Sequence, residues 1–132
     1  MPRTKQASRS TASPSNPATG RPDALLRGTL DLLILRSLSL QERHGYGVAE
    51  WIEAVTRDEL RIQEGTLYPA LHRMEKRGWI ESWWDTTENN RRAKYYRLSD
   101  VGREQLDSEV ERWQRYSGAM QRALGELAPA AG

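Results

Sequence analysis

The sequence of 132 residues has no cysteine and no phenylalanine, and it has only two histidines. Without cysteine the chain cannot form disulfides, thiolate metal sites or a thiol nucleophile, and two histidines are too few for a zinc site of three imidazoles. A disulfide-rich secreted mini-protein is therefore excluded. The core must be built from leucine, isoleucine, valine, tryptophan and tyrosine.

Long apolar segments are also missing. The longest uncharged apolar run covers residues 32–35, far fewer than the roughly 20 residues that span a membrane. The polar N-terminus lacks the apolar segment of a signal peptide. We therefore expect a soluble, cytoplasmic protein.

Acidic residues are absent from the first 22 positions, which carry four basic residues, whereas the whole chain has a net charge of only +2. These positions are dominated by Ser, Thr, Pro, Ala, Gly and Arg. They cannot bury enough apolar surface to offset the entropy of ordering, so we predict a disordered basic arm over residues 1–22. Its role is either loose attraction to phosphate or that of a solubilising tail. Residues 129–132 are predicted to be a flexible tail.

A second basic region lies in the middle of the chain. Residues 72–97 carry seven basic side chains against four acidic ones. This excess marks a candidate surface for a polyanion. Such a run of charge is also typical of an ordinary solvated surface.

The first helix is predicted over residues 25–40, after Asp23 as a capping residue. Nine leucines or isoleucines make it apolar on almost every side, so other elements or a partner chain must cover it. The segment at residues 44–47 (HGYG) lacks the remaining positions of a phosphate-binding loop and predicts a tight interhelical turn, with His44 as a capping or turn residue. A second helix is predicted over residues 48–56.

A third helix is predicted to start near Gly65 or Thr66, because Pro69 is tolerated only within about the first turn. Gly78 is its natural stop. Its apolar positions repeat on one face and leave a basic outer side. A very short strand is predicted just before it, at residues 60–63.

Two segments rich in aromatic residues, 79–84 and 93–98, flank a polar stretch. They predict a β-hairpin with a basic tip at Arg91, Arg92 and Lys94. So small a sheet must be an appendage to a helical domain.

The last predicted helix runs from a cap at Ser99 or Asp100 to Leu127. Its apolar or small positions follow a seven-residue repeat, and they are Leu106, Val110, Trp113, Ser117, Met120, Leu124 and Leu127. We number this helix α4, as the fourth predicted helix, and call these positions the α4 seam. The seam favours packing against a second copy of the same helix, and the alternative is that it packs back on its own domain.

Three helices, a two-stranded hairpin and a long helix form the order expected of a winged helix-turn-helix fold, mainly α. In that fold the third helix lies in the DNA major groove, and the hairpin, called the wing, reaches flanking phosphates. We expect a DNA-binding domain over residues 23–99 and a dimerisation helix over residues 100–128.

Five blocks of the sequence resemble the PadR family of bacterial transcriptional regulators. They are LLRGTLDLLIL at residues 25–35, HGYG at 44–47, EGTLYPAL at 64–71, RMEKRGWI at 73–80 and RRAKYYRL at 91–98. The single C-terminal helix is similar to that of the short-tailed subgroup, and the resemblance extends to about Leu127. It implies a homodimeric repressor that acts on the bacterial nucleoid, with the last helix and the first helix forming the dimer interface.

Carried over to this sequence, the family's recognition helix corresponds to residues 65–77. The resemblance implies DNA contacts by Thr66, Tyr68, Pro69, His72, Arg73 and Lys76 on that helix and by Arg91, Arg92 and Lys94 on the wing. Arginine is the best candidate for a guanine contact, which favours Arg73. Tyr95 and Tyr96 are interpreted as mainly structural.

Trp113 matches an aromatic position that faces the space between subunits in this family, where some members sense aromatic or cationic small molecules. Two copies of Trp113 can sandwich a planar aromatic effector, and the alternative is that Trp113 is a large side chain of the seam. Trp51, Trp83 and Trp84 are expected to pack in the core or the hairpin.

An enzyme is disfavoured, because the two histidines lie on different elements and the acidic residues are scattered. No metal or cofactor is predicted. A winged-helix module that binds proteins instead of DNA is the main alternative to a DNA-binding regulator. The three cations at the predicted wing tip favour DNA.

Overall fold

The structure of the chain is a computed structural model, and it describes residues 24–125. The elements, in order, are α1 (Ala24–Leu40), β1 (Arg43–His44), α2 (Gly45–Val55), α3 (Glu64–Lys76), β2 (Ile80–Thr86), β3 (Arg92–Leu98) and α4 (Asp100–Gly125). The predicted fold, mainly helical with a winged helix and a long last helix, is confirmed. The basic arm, the Asp23 cap, the last seam residue Leu127 and the C-terminal tail lie outside the described residues.

The core is built around α1, which is apolar on nearly every side. Its residues Leu30, Ile34, Leu35 and Leu38 are buried. They belong to a cluster that also contains Val48, Ile52, Leu67, Leu71, Met74, Ile80, Tyr96 and Leu106. Because each fully buried side chain of this size contributes about 1.5 to 3 kcal/mol, this cluster fixes α2, α3, the sheet and the start of α4 around α1.

The HGYG segment begins α2 instead of forming a turn between two helices, so α2 starts three residues earlier than predicted. His44 is the N-cap, and its Nδ1 accepts a hydrogen bond from the Gly47 N–H at 3.0 Å. The capping role predicted for His44 is therefore confirmed. Gly45 is a glycine because the Tyr68 ring lies over it: a Cβ at this position would come within 2.7 Å of the ring.

The sheet has three strands instead of two, in the order β1-β3-β2. Arg43 and His44 pair with Tyr96 and Tyr95 of β3. The strand predicted at residues 60–63 is not formed. That segment is an irregular connection that pairs with none of the strands within residues 24–125, and the Ile62 N–H donates instead to the Glu53 carboxylate.

The predicted hairpin is present and extends further toward its turn than expected, by two residues in β2 and one in β3, while β2 begins one residue later, at Ile80. Its register runs from Ile80 opposite Leu98 to Thr86 opposite Arg92. Residues 87–91 close the hairpin, with Asn90 in the left-handed region at φ 63°. We call β2, β3 and this turn the wing.

Helix α3 starts at Glu64, slightly earlier than predicted, so Pro69 lies in its second turn. Gly78 stops the helix as predicted, because its φ of +79° suits glycine and not a residue with a side chain.

Helix α4 is attached directly to the base of the wing. The hydroxyl of Ser99 accepts a hydrogen bond from the Gly102 N–H at 3.0 Å and lies 2.6 Å from the carbonyl oxygen of Gly78. Ser99, one of the two caps predicted, thus fixes the first turn of α4. Gly102 is buried against the carbonyl of Trp79, with which an added Cβ would overlap.

We expect Gly102→Ala to lower the free energy of unfolding by more than about 3 kcal/mol, because the rigid backbone of Trp79 cannot move away. The matched control is Gly118→Ala in the same helix, where the nearest group is the flexible Arg122 guanidinium at 3.6 Å. This control should gain about 1 kcal/mol from helix propensity. Urea unfolding at one protein concentration measures both changes. Equal stability of the two variants would contradict the close packing at Gly102.

Candidate functional site

One face of α3 is largely exposed to solvent. The buried face consists of Leu67, Ala70, Leu71 and Met74. Five residues lie on the opposite face. Thr66 is half-buried, and the other four are exposed: Tyr68, Pro69, His72 and Lys76. We call these five residues the α3 stripe. They include every α3 residue of the sequence prediction except Arg73.

The hydroxyl of Tyr68 is held at the N-terminal end of the stripe. Its ring rests on Gly45 of α2, and the side chain is still 40% exposed. Partial burial, together with the nearby Glu64 carboxylate, raises the pKa of Tyr68. The hydroxyl therefore stays protonated at neutral pH and can donate a hydrogen bond.

Arg73 lies at the border of the stripe, where it forms an ion pair with Asp31 of α1. Its Nη2 is 2.7 Å from the Asp31 Oδ1, and one third of the Arg73 side chain is exposed. Burial raises the pKa of Asp31, and the attraction of the Arg73 guanidinium does not reverse this shift. On balance the site therefore disfavours the charged form of Asp31, and the ion pair is weak evidence of stabilisation.

Sequence reasoning missed the role of Asp31. The available signal is that Asp31 is the sole acidic residue in the apolar stretch of residues 24–41. A carboxylate within an apolar helix needs a partner, but the periodicity of α1 does not identify which helix supplies it. The predicted contact between Arg73 and guanine stays a prediction.

The three basic residues predicted for the wing tip occupy different environments. Arg91 lies in the turn and is exposed, and Arg92 is exposed at the start of β3. Lys94 is half-buried, with its Nζ 3.6 Å from the Glu75 Oε1 of α3. The other oxygen of Glu75 accepts a hydrogen bond from the Ser82 hydroxyl at 2.6 Å. Glu75 therefore fastens both strands of the wing to α3.

The aromatic residues of the sheet and α2 mostly pack as expected. Tyr96 is buried, and Trp83 stacks on Tyr95 with ring centroids 6.0 Å apart. Trp51 lies beneath the guanidinium of Arg43 at 5.5 Å. Trp84 differs, because its side chain is 56% exposed and the Arg92 guanidinium lies over its ring.

The α4 seam is covered at its start and exposed further along. Leu106 is buried in the core and Val110 packs against it, whereas Trp113, Met120 and Leu124 are between 41% and 51% exposed. Packing back on the same domain therefore accounts for only the first part of the seam within the described residues.

A cavity of about 290 Å³ opens between α1 and α4. It is lined by Gly28, Thr29, Leu32, Glu109, Arg112, Trp113 and Tyr116. The rings of Trp113 and Tyr116 lie 5.9 Å apart. The cavity thus combines aromatic surface with the ion pair of Glu109 and Arg112, whose Oε2 and Nη1 are 3.2 Å apart, and Trp113 belongs to both the cavity and the seam.

Within residues 24–125 there is no group of side chains suited to hold a metal ion. In the same part of the chain, no helix has the length and apolar character to cross a membrane.

Comparison with known proteins identifies this arrangement. Residues 34–108, more than half of the chain, match the transcriptional regulator PadR-like family. An uncharacterized protein from Lysinibacillus sphaericus is 34% identical over 89 residues, which cover 67% of this chain and 82% of that protein.

Solved structures agree with this match. A transcriptional regulator from Clostridium thermocellum superposes with a TM-score of 0.67 at 31% identity and covers 74% of this chain and 92% of its own. A PadR-like transcriptional regulator from Bacillus cereus gives a TM-score of 0.67 at 29% identity, covering 77% and 97%. A PadR family transcription regulator from Clostridium difficile gives 0.62 at 31% identity, covering 72% and 97%. With its α3 stripe and fastened wing, the chain belongs to the PadR-like family of DNA-binding transcriptional regulators.

Proposed function

We propose that the chain acts as a homodimeric repressor that binds a two-fold symmetric operator. In this proposal α3 enters the major groove, and the wing contacts the flanking phosphates. The observation that carries it is the connection through Glu75, whose carboxylate holds the wing against α3. The exposed stripe of α3 and the exposed cations Arg91 and Arg92 therefore belong to one rigid unit.

The stripe offers chemistry that suits the major groove. Thr66 and Tyr68 present hydroxyls near the N-terminus of α3, where phosphate binding is favourable. His72 and Lys76 can reach base edges or phosphates. Pro69 supplies apolar surface, and the methyl group of thymine is a suitable partner for it. Arg73 joins this set when its guanidinium leaves Asp31, and Lys94 joins it on the wing.

The exposed part of the α4 seam supports a dimer. Trp113, Met120 and Leu124 leave apolar side chains in solvent on one long helix, and a second copy of that helix can bury them. We propose an interface through Val110, Trp113, Ser117, Met120, Leu124 and Leu127. A two-fold axis there presents two recognition helices to two half-sites.

We also propose that an aromatic small molecule occupies the cavity between α1 and α4 and releases the operator. Trp113 and Tyr116 supply aromatic surface, and Leu32 of α1 lines the same space. The residue before it, Asp31, pairs with Arg73 of α3, so a shift of α1 reaches the recognition helix. A planar aromatic compound that displaces operator from the wild-type protein but not from Trp113→Ala supports this site, and equal displacement places the effector elsewhere.

The experiment that tests the main proposal is selection of bound sequences from random duplexes at two salt concentrations. The expected result is a two-fold symmetric motif bound by the full chain. If no duplex is enriched even at low salt, the alternative of a module that binds other proteins is favoured instead.

On the selected operator, Arg73→Ala should lose about 1 to 3 kcal/mol of binding free energy, with little loss on random DNA. Asp31→Asn should bind as well as wild type or better, because it frees Arg73 without leaving a buried carboxylate unpaired. Arg91→Ala should weaken binding to both duplexes and reduce the log-log salt slope by about 0.9. Fluorescence anisotropy titrations measure all three variants. Equal losses for Arg73→Ala and Asp31→Asn would mean that Arg73 acts by holding α3 against α1.

Placing a charge in the exposed seam should separate the subunits. We expect Met120→Asp to sediment as a monomer, because its carboxylate would be buried unpaired between two helices. Ala119→Asp adds the same charge one residue away, outside the seam, and should remain dimeric. Sedimentation velocity at equal concentrations distinguishes them. A dimer that survives in Met120→Asp would place the interface away from this helix.

A further inference from the structure

The wing carries two arginine–tryptophan pairs of equal spacing on its opposite faces. The guanidinium of Arg92 lies 5.3 Å from the ring centroid of Trp84, and that of Arg97 lies 5.3 Å from the ring centroid of Trp83. In each pair the arginine of β3 lies diagonally opposite the tryptophan of β2, two residues from its direct partner. The pairs therefore have similar geometry, and they differ in what surrounds them.

The pair of Arg97 and Trp83 is already satisfied within the chain. Trp83 stacks on Tyr95, and the Nε of Arg97 donates to the Glu81 carboxylate at 2.9 Å. The pair of Arg92 and Trp84 lacks such additional partners within the described residues. Trp84 is 56% exposed, and within residues 24–125 no carboxylate forms an ion pair with Arg92.

The register of the wing shows which way the unsatisfied pair faces. Side chains alternate along a strand, so Ile80, Ser82 and Trp84 share one face of β2. Ile80 is buried in the core, and Ser82 bonds to Glu75 of α3. Lys94, directly opposite Trp84, also contacts Glu75. Trp84 therefore lies on the α3 side of the wing, one step beyond the last contact with α3.

Arg92 lies on this same side, because positions 92, 94 and 96 alternate with those of the outer face. The two side chains thus extend the surface formed by the α3 stripe toward the wing tip. A DNA strand presents a deoxyribose and a phosphate in succession. The flat apolar ring of Trp84 suits the sugar, and the guanidinium of Arg92, which has no carboxylate partner within the described residues, suits the phosphate.

We propose that Trp84 and Arg92 form one binding element for the deoxyribose-phosphate backbone beside each half-site. The ring of Trp84 packs against a sugar and holds the guanidinium in place, and the guanidinium of Arg92 binds the adjacent phosphate. This inference rests on the proposed DNA binding and adds Trp84, for which the sequence predicts packing in the core or hairpin.

The test compares Arg92→Gln with Arg97→Gln in the full chain, on a random 30-base-pair duplex and on the selected operator. Arg92→Gln should weaken binding to both by about tenfold and reduce the log-log salt slope by about 0.9. Arg97→Gln removes the same charge from the other face of the wing and should stay within about twofold of wild type. Equal losses for the two variants would overturn the inference, because they would reflect net charge alone.

Trp84→Leu and Trp84→Tyr test the ring. Trp84→Leu should weaken binding about fivefold and reduce the salt slope by less than Arg92→Gln does, while its unfolding temperature stays close to that of wild type. Trp84→Tyr should recover most of the affinity. In the double variant with Arg92→Gln, the loss should be smaller than the product of the two single losses, because the two side chains act together.

Binding by Trp84→Leu that equals wild type, or losses that multiply fully in the double variant, would overturn the inference. If the wild-type chain binds no duplex, the proposed function fails as a whole. If wild type binds and Arg91→Ala weakens it while the Trp84 and Arg92 variants do not, only this binding element is refuted.

Discussion

Burial of α1 is the constraint on which the rest of the structure depends. A helix with apolar residues on nearly every side cannot remain in water, so α2, α3, the sheet and α4 all pack around it. Its buried residues Ile34 and Leu35 have no exposed surface. The half-buried Leu32 and Leu33 lie toward the edge of this core. The position of α3, and therefore the surface that it presents to solvent, follows from this packing.

Two polar contacts define the orientation of α3 more closely than apolar packing alone does. The pair of Asp31 and Arg73 joins α1 to α3, and Glu75 joins α3 to the wing. Neither link is a strong source of stability, because burial disfavours the charge on Asp31 and Glu75 is partly exposed. These contacts instead determine how α3 is oriented. Apolar packing has no directional preference of its own, whereas a hydrogen-bonded carboxylate favours one orientation.

The sequence was sufficient to predict the elements that have a period of their own. The helices, the hairpin and the stop at Gly78 follow from local spacing and from the demand for a positive φ. Strand β1 could not be predicted, because two residues carry no alternation and pair only once β3 lies beside them. The contact between Arg73 and Asp31 and the position of Trp84 outside the core could not be predicted either, because both depend on how distant segments of the chain pack together.

In the proposed dimer, the junction between the wing and α4 has a consequence for the spacing of DNA half-sites. Ser99 is the single residue between β3 and α4, and its hydroxyl is anchored to the backbone at Gly78 and Trp79. This short connection leaves little freedom of movement between α4 and the α3 stripe. Adding one base pair between half-sites turns one of them by about 35° around the duplex axis. In the proposed dimer, the single residue Ser99 between β3 and α4 cannot absorb that turn, so the protein should accept only one spacing between half-sites.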